Sequence, residues 1–313
     1  MRKLFVFIPL LFLFSMCFSE AVLFVYHGKV DANLWNASHR LGQLYFAKAF
    51  PELEIKELGI LSEATEDIFE QLDDYDLVFV TESSLKSFFE RFMNESSKLW
   101  ICNDHSHGYF VKDYQATFLL GLTAGLYKPG EKVAVLIDSI DKNMYFRMVN
   151  ALLLGLREAG YPYELDVFQT STRTLEKLSK ELRDYSIVVN LSTSSELTQW
   201  LEELKIENLG FFVDQSMKGR EYNLLNIIIN WGVVYSKIYQ NEFKVSENPK
   251  NYFDFGDRAL VFSPISFKVD QKIFEILEYF KKKMISNEYK VFGDLEEVKV
   301  LEMNEFLEGV VIK

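Results

Sequence analysis

Six short polar clusters each follow an apolar run: Tyr26-His27-Gly28, Thr81-Glu82, Asn103-Asp104, Asp138-Ser139, Asn190-Leu191-Ser192 and Asp214-Gln215. Their carboxylates, amides, hydroxyls and imidazole are groups that hydrogen-bond a small polar solute. In open α/β sheets such residues line the crevice outside the carboxyl ends of the strands, beside helix N-termini with free N–H groups. The same residue types also cap helices, so capping and ligand contact are both open at each position. Asp104-His105-Ser106-His107 has metal-like spacing, and a His-x-His pair ligates zinc when a third ligand converges. No helical His-x-x-x-His or cysteine pair supports that, and a solvated loop is the preferred reading. Cys102 ends an apolar run; a catalytic thiolate would need an activating neighbour such as His105, and an inert core thiol is preferred. The chain holds no glycine-rich phosphate loop, Gly-x-Ser-x-Gly elbow or His-Glu-x-x-His motif. The chemistry on offer is binding rather than catalysis, with no metal and no cofactor expected.

The elements that must position these groups alternate along the chain. Apolar, β-rich runs at 22–26, 54–57, 77–80 and 99–102 are separated by helical stretches at 34–50, 64–72, 84–92 and 114–127. The last of these is stopped by Lys128-Pro129-Gly130. The rhythm restarts with strands at 132–137, 163–168, 187–190, 209–213 and 225–229, and helices at 143–159, 174–183 and 196–204. Further helices are expected at 231–243 and 267–286, and short strands at 298–301 and 310–312. Strands alternating with helices imply right-handed βαβ units and parallel sheets. The fold class is therefore α/β, with two Rossmann-like lobes. Residues 20–129 form the expected N-terminal lobe, with 231–262 returning to it. Residues 130–230 form the C-terminal lobe, with 263–313 packing at the hinge or on this lobe.

A length of 313 residues leaves room for two such lobes, and 49% hydrophobic residues exclude a disordered chain. Two cysteines exclude a disulfide-stapled miniprotein. The 46 Asp and Glu against 34 Lys and Arg give a net charge of −12, which opposes nucleic-acid binding and disfavours an anionic ligand. Residues 1–19 read as a signal peptide: Met1-Arg2-Lys3, an apolar stretch Leu4–Phe14, then Ser15-Met16-Cys17-Phe18-Ser19. The stretch is shorter than the roughly 20 apolar residues that span a bilayer. Either cleavage follows Ser19, or Cys17 is lipidated after Leu13-Phe14-Ser15-Met16. Loss of Arg2 and Lys3, with no acid removed, takes the net charge from −12 to −14. The expectation is an exported protein, periplasmic or lipid-anchored, without an intrachain disulfide.

Gly28-Lys29-Val30-Asp31-Ala32-Asn33-Leu34-Trp35-Asn36-Ala37-Ser38, followed by Gly42, resembles the N-terminal signature of the basic membrane protein family. That family comprises solute-binding proteins of ABC transporters whose characterised members bind purine nucleosides. Three further blocks are similar to it in the same order: Phe110 through Phe118–Ala124 to Lys132–Val135, Leu209–Gln215, and Ile285–Val291. The resemblance implies a type I periplasmic binding protein architecture, a nucleoside or similar small molecule as ligand, a membrane ABC permease as partner, and a monomer. It also implies that Trp35 stacks on the ligand, with Asp31 and Asn36 hydrogen-bonding from the N-lobe and Asp214 from the C-lobe. Thr81, Asn103, Asp104 and Asn190, at strand ends, complete the expected cleft. The family's second acidic position is Ala32 here, and no lysine stands near Ile228 where the family has one. These departures leave an alternative, a surface lipoprotein or sensor on the same fold that acts through protein contacts.

Overall fold

The computed structural model describes residues 20–60, 72–93, 99–104, 108–140, 143–162, 164–219, 221–243 and 251–313. The expected signal segment with Cys17, all but the last residue of the expected helix at 64–72, and His105 and His107 lie outside the described residues. Strands β1 (Ala21–His27), β2 (Glu54–Ile60), β3 (Leu77–Val80), β4 (Leu99–Cys102) and β5 (Gly108–Val111) build one sheet. A second contains β6 (Val133–Ile137), β7 (Leu165–Gln169), β8 (Ile187–Asn190), β9 (Asn208–Phe212) and β10 (Asn223–Ile229). Late in the chain β11 (Tyr252–Phe253) returns to the first sheet, while β12 (Leu260–Phe262) and β13 (Val310–Ile312) join the second. The orders are β11-β5-β4-β3-β1-β2 and β12-β10-β9-β8-β6-β7-β13.

Pairing is parallel, with Val22 opposite Leu77 and Val133 opposite Ile187; β12 alone among the described strands runs antiparallel, Val261 facing Ile228. Strands β3, β4, β6 and β8 are buried along their whole length. Such continuous apolar runs are what parallel strands covered on both faces require. Strand β2, at the edge, exposes Glu54, Lys56 and Glu57, and charge there discourages pairing with another chain.

The helices are α1 (Leu34–Ala49), α2 (Lys86–Met93), α3 (Asp113–Tyr127), α4 (Met144–Glu158), α5 (Leu175–Glu181), α6 (Leu197–Glu203), α7 (Trp231–Phe243), α8 (Gln271–Ile285) and α9 (Glu297–Leu301). Helix α1 starts where the Asn33 side chain accepts the Asn36 N–H at 2.8 Å. It packs on α7, and Gly42 permits the approach: a Cβ there would lie 2.9 Å from the Gly232 nitrogen. Helix α8 begins later than expected because Asp270 caps it, accepting the Lys272 N–H at 2.8 Å.

Three expectations change. The Lys128-Pro129-Gly130 turn ends α3 but is not where the chain changes units. Helix α3 already packs on α4 and on β8 and β9 of the second sheet, so the crossing falls at Lys112, between β5 and α3. Residues 260–262, expected in the first lobe, pair with β10 in the second. Residues 298–301, expected as a strand, lie in α9, a single short turn that tucks Val300 and Leu301 inward. Among the described residues, no helix is long and apolar enough to cross a membrane.

Candidate functional site

The carboxyl ends of β3 and β4, the start of α4 and the turn after α9 surround one cavity of about 540 Å³. That size falls within the roughly 300–1,000 Å³ of small-molecule sites. From the first unit it is lined by Trp35, Glu82, Ser83, Ser84, Asn103 and Phe110. Helix α4 and the residue before it contribute Asn143, Met144 and Arg147, and the chain's last segment contributes Leu301, Glu302 and Asn304.

Trp35 is held from several sides. Its indole N–H donates to the Thr81 carbonyl at 3.0 Å, and its ring meets His39, Phe212 and Trp231 edge-on at 4.8, 5.7 and 5.6 Å. Phe212 ends β9 of the second sheet with φ +75°, a left-handed backbone costing a bulky residue about 1–3 kcal/mol. Beside this contact, the Leu34 N–H donates to the Thr193 carbonyl at 2.7 Å. Both contacts join the two units at the rim of the cavity. Asp138 steadies the second unit's side: its carboxylate accepts from Ser192 Oγ, from the Thr193 N–H and hydroxyl, and from Tyr145 OH. Burial first, then Asp138, pushes the Tyr145 phenol well above its ordinary range, so it remains a donor.

Arg147 forms the floor. Its Nε and Nη2 donate to the two Asp113 oxygens at 2.8 and 2.7 Å, and Nη2 also reaches Asn103 Oδ1 at 3.2 Å. This fork-to-fork pair is buried, with Arg147 2% and Asp113 4% exposed. Asn103 adopts φ +60°, a conformation Asn tolerates better than most residues. Arg147 thus ties the second unit to the end of β4 in the first.

Of the residues expected from sequence, Trp35 and Asn103 line the cavity. Thr81 lies behind Trp35, fully buried. Asn36 is buried and donates to the carbonyls of His27 and Lys29, both at 2.9 Å, bracing the turn into α1. Asp31 is exposed and outside the lining. Asp104 is buried and pairs with Lys86 at 2.5 Å. Asn190 is buried and accepts the Ser192 N–H at 3.2 Å. Asp214 is exposed and accepts the Ser216 N–H at 3.0 Å. Arg147 and the last segment had no signal in the sequence, and Phe110 stood there only as the start of a family-like block; a basic residue in an amphipathic helix ordinarily faces water.

Ser84 Oγ and Glu82 both approach His27, each at 3.3 Å, but at the same ring nitrogen, Nδ1. A Ser–His–acid relay uses opposite nitrogens, so this contact does not build one. Burial raises the Cys102 thiol well above its ordinary pKa and keeps it protonated. Among the described residues, no three His, Cys, Asp or Glu converge on a metal position.

His39, behind Trp35, is fully buried, stacked on Trp231 at 4.0 Å with Nδ1 2.5 Å from the Tyr235 hydroxyl. Burial depresses its pKa well below 6.5, so the folded ring is neutral. Below pH 6.5 the unfolded chain takes up a proton there that the folded chain does not, so stability present at neutral pH is lost as pH falls. Wild type is therefore expected to lose about 1 kcal/mol relative to His39→Gln between pH 7 and 5.5, read from paired urea titrations. A pH-independent gap would show that the folded ring titrates normally.

No family model and no curated protein matches the sequence. In structure the chain is similar to an ABC transporter system solute-binding protein from Aeropyrum pernix K1, at TM-score 0.71 and 13% identity over 90% of this chain and 98% of that one. It is also similar to a transcriptional activator of the comK gene from Bacillus halodurans, at TM-score 0.68 and 15% identity over 87% and 99%. A third likeness is to an ABC transporter solute-binding protein from Burkholderia graminis C4D1M in complex with D-arabinose, at 0.59 and 14% over 78% and 94%. At these identities the likeness establishes the fold. It is the type I periplasmic binding protein-like fold: mixed α/β, with parallel sheets in two sets, as the sequence led us to expect.

Proposed function

We propose that the protein is the exported solute-binding component of an ABC importer, closing over a small neutral ligand rich in hydroxyl groups, in the first instance a nucleoside. The observation that carries this reading is the lining of the cavity. Two aromatic side chains, Trp35 and Phe110, stand with Glu82, Asn103, Asn143 and Asn304, contributed by both units. Aromatic faces cover a base or the apolar face of a sugar, while amide and carboxylate oxygens accept hydroxyl protons. The Burkholderia neighbour's bound D-arabinose supports a hydroxyl-rich ligand. The contacts of Trp35 with Phe212 and of Leu34 with Thr193 would belong to the closed state, opening about the Lys112 crossing would break them, and ligand would favour the closed population. Asp31, Asn36 and Asp214 would then act around the ligand rather than as its main contacts. The basic and apolar start would direct export, Cys17 would carry a lipid if that route is taken, and a monomer would deliver solute to a permease.

Calorimetry with inosine, guanosine, adenosine, D-ribose and D-arabinose tests this, and at least one should bind below millimolar concentration. Trp35→Ala should weaken that ligand by roughly 5- to 150-fold, the scale of a lost base–aromatic stack, while Trp35→Phe retains most of the affinity. If none binds at millimolar concentration, the nucleoside version is wrong. The sensor acting through protein contacts would then be the stronger reading, favoured by Asp31 and Asp214, which are exposed outside the cavity lining.

A further inference from the structure

We infer that Arg147 and Asn103 form a subsite that offers the ligand hydrogen-bond donors alone, and that it selects a 6-oxopurine nucleoside, such as inosine or guanosine, against adenosine. This rests on the nucleoside reading above and deepens it. Arg147 stands on α4 in the second unit and Asn103 just after β4 in the first, and both line the cavity. The guanidinium's Nε–H and one Nη2 proton go to the two Asp113 oxygens, at 2.8 and 2.7 Å. The second Nη2 proton goes to Asn103 Oδ1 at 3.2 Å. Nη1 carries the remaining protons of the fork, and it has no partner among the described residues, yet it is not sealed from solvent. The Arg147 side chain is only 3% exposed, and what opening it has is the cavity it lines.

The same contact fixes which end of Asn103 a ligand meets. A guanidinium has no acceptor, so the amide must turn Oδ1 toward it and present its –NH2 end on the other side. Nδ2 has no partner among the described residues, and the side chain is half-buried. Nη1 and Nδ2 flank one hydrogen bond, so the two free donor groups are neighbours, one from each unit. Donors left unpaired as a cleft closes weaken binding, so the solute must bring acceptors to them. A 6-oxopurine carries O6 and N7 as adjacent acceptors on one edge, whereas adenine sets an amino donor beside N7. Adenosine would therefore place donor against donor. Trp35 in the same lining offers its ring to the base. A base that bridges donors from both units also favours the closed population.

Calorimetry on the intact protein tests this with inosine, guanosine, adenosine and D-ribose, on wild type, Asn103→Asp and Asn103→Gly. Aspartate keeps an oxygen for Arg147 and puts an acceptor where the donor was. Glycine removes the donor and adopts φ +60° without strain. Thermal midpoints measured without ligand verify that each variant is folded. Wild type should bind inosine and guanosine at least about tenfold more tightly than adenosine, the scale of one buried donor left unpaired. Asn103→Asp should weaken both 6-oxopurines by about tenfold and abolish or reverse the preference, since adenine's amino group can donate to the carboxylate. Asn103→Gly should narrow the preference without reversing it. Equal wild-type affinities for inosine and adenosine would overturn the inference and leave nucleoside binding standing. A preference that both variants keep would do the same. If D-ribose alone binds, or nothing does, the nucleoside reading fails and this inference with it.

Discussion

Replacing Arg147 with methionine is expected to lower folding stability by about 3–5 kcal/mol, because it leaves Asp113 buried without its counter-charge. The cost does not measure the value of the pair, since burying both charges already sacrificed their hydration. Replacing both, as Arg147→Met with Asp113→Leu, is therefore expected to recover most of the loss. Urea unfolding at pH 7 of wild type, the two single variants and the double variant gives the coupling, expected at about 5 kcal/mol or more because each single replacement strands a buried charge and the double strands none. A coupling near zero would mean that the two side chains are not interacting in solution as they do in the structure. The same single variant also releases Asn103, whose side chain accepts from Arg147 at 3.2 Å, so the two units should meet less firmly at the end of β4.

Gly155→Ala is expected to destabilise by about 3 kcal/mol, although alanine is favoured over glycine by about 1 kcal/mol in a helix. Helices α3 and α4 meet there nearly backbone to backbone. A Cβ on Gly155 would lie 2.0 Å from the Phe118 carbonyl oxygen, and one on Gly121 would lie 2.1 Å from that of Leu152. Neither obstacle is a side chain that can rotate away, so the helices must separate along a contact that is almost wholly buried. Gly125→Ala meets the Ala159 methyl instead, and its loss should be smaller and relieved by Ala159→Gly. Thermal unfolding of these variants ranks them; equal midpoints for Gly155→Ala and wild type would show that the helices are not so close.

How far the molecule could be read in advance follows from the range of the interactions involved. Strands β3, β4, β6 and β8 were legible because their apolar runs are buried along their whole length, and the start of α1 because Asn33 caps it locally. The block from Gly28 to Gly42 has a clear structural content: Gly28 turns at φ +77°, Asn33 caps, Asn36 braces and Gly42 seats α7. Those are the tasks of a turn between strand and helix, and they explain why the segment reads so distinctly. The unit crossing was misplaced because Pro129-Gly130 marks a helix end loudly, whereas Lys112 carries no turn chemistry at all. Arg147 was missed because its partners, Asn103 and Asp113, lie 44 and 34 residues away. Trp35 and Asn103 were found in the lining; Glu302 and Asn304 were not, since nothing local tells an exposed acidic tail from a cavity wall.

The late return of β11 to the first sheet, and the arrival of β13 at the edge of the second, govern how the protein can be made and divided. A ribosome must release the chain beyond Phe253 before the first sheet has its last strand, and to Ile312 before the second has its own. Neither sheet can be finished early on a contiguous fragment, and contacts so far apart in sequence make folding slow. Proteolysis or gene splitting at Gly130 would accordingly leave the first piece without its edge strand β11 and part α3 from the second sheet it packs on, rather than yield two independent domains.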